Sequence, residues 1–82
     1  MQTILLDGSR YSSSREIHAA VRDMLKLPSW YGMNADALND CLSEMRESIS
    51  LWVVPSENEE LNRTLQLISQ VVEDNGGSVR EL

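Results

Sequence analysis

Five polar side chains, Asp36, Asn39, Asp40, Ser43 and Glu47, recur at offsets of 0, 3, 4, 7 and 11, the spacing that places residues on one face of an α-helix. Carboxylates arranged this way can do three kinds of chemistry. A pair can act as acid and base in hydrolysis, but that requires a cleft to drive the two pKa values apart, and a convex helix face offers none. They can bind a hard cation, but such sites take about six oxygen ligands, and Asp36 with Asp40 supply too few without a supporting loop. They can also offer anionic oxygens to the cations of a partner. The first two fail on geometry, so neither an enzyme nor a metal or cofactor site is expected.

The cost of the ridge bears on its purpose. Like charges four residues apart destabilise a helix by roughly 0.2–0.5 kcal/mol, and aspartate is among the poorer residues in a helix interior. Asp36, in the first turn, gains from the positive end of the helix dipole. Asp40 has no such compensation, and from the helix alone a solvated surface residue is its plainest reading. Trp30 and Tyr31 are adjacent, and two large aromatics cannot both enter one small core. One of them is expected at the surface, where it would make an interface anchor beside the ridge. His18 reads as a surface or boundary histidine, Cys41 as a buried structural thiol and Trp52 as core.

The charge is as uneven as the ridge suggests. The chain of 82 residues carries a net charge of −6, which argues against direct nucleic-acid or anionic-membrane binding and for a basic partner. Residues 28–60 hold seven acids, Asp36, Asp40, Glu44, Glu47, Glu57, Glu59 and Glu60, against the one base Arg46. The charges on either side of that segment cancel. A single cysteine rules out an internal disulfide. The first residues show no basic leader or long apolar run, so a reduced, cytoplasmic protein without a membrane span is expected.

These features must be held by a single domain spanning residues 1–82, near the lower size limit for one apolar core. Ile4-Leu5-Leu6 reads as a strand closed by Asp7-Gly8-Ser9. Ser13-Ser14-Arg15-Glu16 is a capping box for a helix over about residues 14–26, which stops before Pro28. Asn34 is a good N-cap for a second helix that buries Ala37, Leu38, Cys41, Leu42 and Met45. Residues 49–54 read as a central strand apolar nearly throughout, as if covered on both faces or most of one. Ser56-Glu57-Asn58-Glu59 reads as a second capping box, before a helix face of Leu61, Leu65, Ile68 and Val72 widened by Leu67 and Val71. Gly76 or Gly77 ends that helix, and residues 78–82 form an edge strand. The order implies an α/β fold, a small three-stranded parallel sheet packed by about three helices.

The run Leu27-Pro28-Ser29-Trp30-Tyr31-Gly32-Met33-Asn34-Ala35-Asp36-Ala37-Leu38-Asn39-Asp40-Cys41-Leu42 resembles the signature of the barstar family, and the element order resembles that family's fold. The resemblance implies a protein inhibitor of a basic, barnase-like extracellular ribonuclease, kept in the producing cell and bound one-to-one as a monomer. It implies that Asp40 occupies the nuclease's phosphate site and that Asp36 is a second acidic contact. Trp30 stands at a position where the family has a tyrosine that packs on the catalytic histidine, with Tyr31, Gly32 and Asn34 forming the loop around it. Asn39 and Ser43 complete the binding face, and Glu73 is the nearest candidate for a glutamate contributed by the last helix.

Three departures stand beside the match. Asn39 and Met45 each replace a tryptophan of the best-known member, which reduces aromatic contact area, and the stretch from Pro55 to Asn58 is shorter, lacking a small additional helix. Two further readings remain open, an immunity protein for a different toxin and a binding module on the same scaffold that inhibits nothing.

Overall fold

A computed structural model describes residues 2–82. Strand β1 runs Gln2–Asp7, followed by a 3-10 turn at Gly8–Arg10 and helices α1, Ser14–Leu25, and α2, Ala35–Glu44. Strand β2 is Ile49–Val54, helix α3 is Glu59–Asp74 and strand β3 is Ser78–Glu81. The strands pair in parallel in the order β1-β2-β3, with Leu5 opposite Trp52 and Trp52 opposite Arg80. The expected α/β fold, a three-stranded parallel sheet with three helices, is the fold observed.

Strand order that follows chain order sends both right-handed crossovers over the same face of the sheet. The side chains report this directly. Ile4, Leu6, Ile49, Leu51 and Val53 are buried under the helices, while Leu5 and Trp52, which alternate with them, are exposed. Trp52 is therefore not core, and β2 is not covered on both faces. A continuous apolar run looks the same whether one face or two is buried, so the sequence alone did not distinguish them.

The core joins all three helices to the sheet through Leu6, Ile17, Val21, Leu38, Leu51 and Ile68, which are fully buried. Leu67, expected to widen the buried face of α3, is half exposed, whereas Val71 is buried. Ser13 caps α1 by accepting from the Glu16 amide at 3.2 Å. The Glu16 carboxylate reaches back one residue further than a standard box, to the amide and hydroxyl of Ser12 at 3.1 and 2.8 Å. Helix α1 ends at Leu25, one residue short of the expected boundary, because Lys26 turns left-handed with φ 54°.

The second capping box does not form. Asn58 is the N-cap of α3, its Oδ1 accepting from the amides of Glu60 and Leu61 at 2.8 and 3.3 Å. Ser56 instead exchanges two backbone hydrogen bonds with the Asn62 side chain, each 2.7 Å. At the other end Gly76 adopts φ +83° and its amide bonds to the Glu73 carbonyl at 3.0 Å, the left-handed closure that glycine accommodates. Gly77 follows against the Ile49 carbonyl, and a β-carbon there would stand 2.6 Å from Val72 Cγ1.

Candidate acidic binding surface

The connection between α1 and α2 is built around Tyr31, not around Gly32. Its amide closes a turn onto the Pro28 carbonyl at 3.0 Å, and its ring is buried, with 4% of its surface exposed. The hydroxyl lies 2.7 Å from His18 Nδ1 and 3.4 Å from the Asn34 carbonyl. The arrangement that satisfies all three groups has Nδ1–H donating to the tyrosine oxygen and the tyrosine O–H donating to the carbonyl. Asn34 in turn caps α2, its Oδ1 accepting from the Ala37 amide at 2.8 Å. A single chain of contacts thus runs from α1 through Tyr31 into the first turn of α2.

Two expectations change here. Tyr31 is a buried positioning residue and not part of the exposed surface, and His18 is buried beside it and not at the boundary. The irregular backbone falls at Met33, with φ 57°, between the exposed Gly32 and Asn34.

Burial holds the His18 pKa below its usual 6.5, because the charged imidazolium is poorly solvated there. The neutral form is favoured in the fold, so this contribution to stability is complete above the unfolded value near 6.5 and is lost as pH falls toward the lower folded value. Chemical denaturation should therefore show the unfolding free energy falling as pH drops below about 6.5, and His18→Gln should flatten that decline. Asp7 and Glu16, whose carboxyls are held below their usual range by hydrogen bonds from Ser9 and Ser12, add a separate loss under more acidic conditions.

With Tyr31 turned inward, Trp30 points out and is 70% exposed. It borders a shallow groove with Leu27, Pro28, Cys41, Glu44 and Met45. Beyond it lies the outer face of α2, where Asp36, Asn39, Asp40 and Ser43 are all exposed. The ridge is one residue shorter than expected, because Met45 leaves the helix with an extended backbone and Glu47 lies beyond it. Ser43 Oγ donates to the Asp40 carbonyl at 2.9 Å. Among the described residues, the ion pairs involve Asp7 with Arg10 and Asp23 with Arg22, leaving the carboxylates of Asp36 and Asp40 open to a partner.

Asn75 and Glu44 complete the surface, and sequence reasoning missed both. Asn75 Nδ2 donates to Asn39 Oδ1 at 2.9 Å, fixing the end of α3 against the ridge. Glu44 stands about 40° around α2 from Asp40, on the Trp30 side. Helical spacing could have found Glu44, but the Asn39–Asn75 contact is tertiary. The same geometry moves Glu73 away, since it is exposed but about 160° around α3 from Asn75. It lies toward the flank carrying Gln66 and Ser69, which border β3.

Cys41 lies under the ridge, buried and unbonded. Its thiol pKa is raised by burial and then by the nearby Glu44 and Asp40 charges, which keeps it protonated and unreactive at neutral pH. Among the described residues, no cluster of three or more histidine, cysteine, aspartate or glutamate side chains is placed to hold a metal. Among the described residues, no helix is long and apolar enough to cross a membrane.

Residues 1–78 match the family model described as Barstar (barnase inhibitor). Over 43 residues the chain is 40% identical to a protein of Bacillus subtilis (strain 168) named "Putative ribonuclease inhibitor YrdF". That stretch covers 52% of this chain and 47% of the relative, so the match spans about half of that protein's length.

Proposed function

The chain belongs to the barstar family, and from that premise we propose that it inhibits a basic, barnase-like secreted ribonuclease, inserting the outer face of α2 and the Trp30 loop into the nuclease's active site. The observation that carries this reading is the outward carboxylate of Asp40, open to a partner at the centre of a ridge flanked by Trp30. A ribonuclease must gather cations around a phosphodiester, and a carboxylate delivered there can pair with the same groups and exclude the substrate.

Rigidity supports this role. Asp40 sits on a helix seated by the buried Leu38, Cys41 and Leu42, so little backbone freedom remains to be lost on binding. Asp36 extends the charge, Trp30 supplies the apolar anchor, and Gly32, Asn34, Asn39 and Ser43 fill the surface around them. The acidic segment would also speed encounter with a basic target, an effect that salt should weaken. In this reading residues 1–82 act as one non-enzymatic domain, retained in the cytoplasm of the producing cell, and each binding surface takes one nuclease molecule.

Asn39 favours a second target class. It presents an amide already engaged by Asn75 where the best-known family member has a tryptophan, so an immunity role against a different toxin with a basic active site remains the alternative. The test is titration of a barnase-like ribonuclease with this protein. Activity should fall to background at equimolar binding sites, and a nuclease that stays fully active with excess protein would exclude that enzyme as the target.

A further inference from the structure

Two asparagine side chains meet where α3 ends against α2, and their polarity is fixed by a group that can only accept. The Val71 carbonyl receives Asn75 Nδ2 at 2.9 Å, so the nitrogen of that amide, and not its oxygen, is the atom turned toward α3. The same nitrogen lies 2.9 Å from Asn39 Oδ1. Its two protons are thereby taken by two acceptors, and the atom of Asn39 that faces it has to be oxygen. Asn75 is itself held, its backbone amide closing the last turn of α3 onto the Val71 and Val72 carbonyls at 3.2 Å each.

The consequence falls on the outer face of α2. With Oδ1 engaged, Asn39 turns Nδ2 the other way. The side chain is exposed, and among the described residues nothing accepts from that nitrogen. In the middle of an acidic ridge, position 39 therefore presents a pair of N–H donors.

We propose that Asn39 determines specificity by donating to a neutral carbonyl oxygen of the nuclease, beside the cations that Asp40 engages; this rests on the inhibitor reading and adds the chemistry of one further contact. Other occupants match the site less well. A cation would meet the positive end of the amide, and a carboxylate would meet the negative field of Asp36 and Asp40. An aromatic face accepts an N–H only weakly. Because Asn75 holds the Asn39 amide in advance, the donor is oriented before the partner arrives.

The orientation is tested in the free chain by nuclear magnetic resonance measurement of side-chain amide exchange with water. The Asn75 protons should exchange several-fold more slowly than those of Asn39, and equal or reversed rates would overturn the proposal. The partner is tested with a barnase-like ribonuclease. Asn39→Asp keeps an oxygen that accepts from Asn75 and exchanges the outward donor for an anion, with no expected change in circular dichroism. It should weaken inhibition by about tenfold or more, although its added charge alone would favour binding to a basic enzyme. Inhibition by Asn39→Asp that matches or exceeds the wild type would overturn the proposal and leave the inhibitor reading intact. A wild type without effect on such enzymes would instead strike the inhibitor reading, and the assigned partner would fall with it. Asn75 is a positioning residue. In a double-mutant cycle, Asn75→Ala should reduce the cost of Asn39→Ala by about threefold or more, and additive effects would contradict a donor fixed by Asn75.

Discussion

Asp40→Ala is expected to weaken inhibition by about 30-fold to several thousand-fold, corresponding to the roughly 2–5 kcal/mol lost when one member of a desolvated charge pair is truncated in protein interfaces, barnase–barstar among them. The loss arises in the complex. The nuclease cations that Asp40 would meet have been stripped of water, and alanine leaves them without a partner. The free protein should respond in the opposite direction. Alanine is a better helix former than aspartate, and the substitution removes the repulsion from Asp36 four residues away, so stability should rise by up to about 1 kcal/mol. Asp40→Asn separates charge from shape and should lose most of the same affinity. Inhibition constants measured beside denaturation curves check both signs together, and an unchanged constant for Asp40→Ala would remove this residue from the proposed contact.

Two residues earlier, on the opposite side of the same helix, Leu38→Ala should do the reverse. Leu38 has no exposed surface, and truncating a fully buried leucine costs about 2–5 kcal/mol through lost burial and the cavity left behind. A domain of 82 residues has only about 4–12 kcal/mol in total, so urea unfolding should show a large fall in midpoint. Protein that remains folded should still inhibit, because the ridge does not include this side chain. A denaturation midpoint within error of the wild type would mean that α2 is not seated on the core as described.

The features most legible in the sequence were those with a local cause. Asn34 announced the start of α2, the apolar spacing of Leu38, Cys41 and Leu42 fixed its inner face, and the acidic residues opposite them had to point outward. The aromatic argument was also local, since Trp30 and Tyr31 could not share one small core and only Trp30 is exposed. What sequence could not decide was set by neighbours distant in the chain. Trp52 lies in an apolar run that either a one-sided or a two-sided sheet permits. His18 is buried where Tyr31 folds back onto it, and Asn75 reaches the acidic ridge through its contact with Asn39.

Another error came from a pattern with two local solutions. Ser56 matched a capping box, yet Asn58 stood in the better position and the Ser56 backbone was claimed by Asn62. Glu73 is exposed on α3, on the flank of Gln66 and Ser69 that borders β3. In the proposed reading, the surface keeps the anionic half of a barstar-like site, with Glu44 beside Trp30 and amides at Asn39 and Asn75 in its polar half.

The claim that Asp40 acts as a phosphate surrogate is tested most directly by competition. A ribonuclease that this protein inhibits would be titrated at rising concentrations of a nucleoside 3′-monophosphate, which occupies the enzyme's phosphate site. The apparent dissociation constant of the inhibitor should increase in proportion to the nucleotide, and Asp40→Ala should blunt that dependence. Inhibition that is indifferent to the nucleotide would place the contact outside the active site and contradict the account.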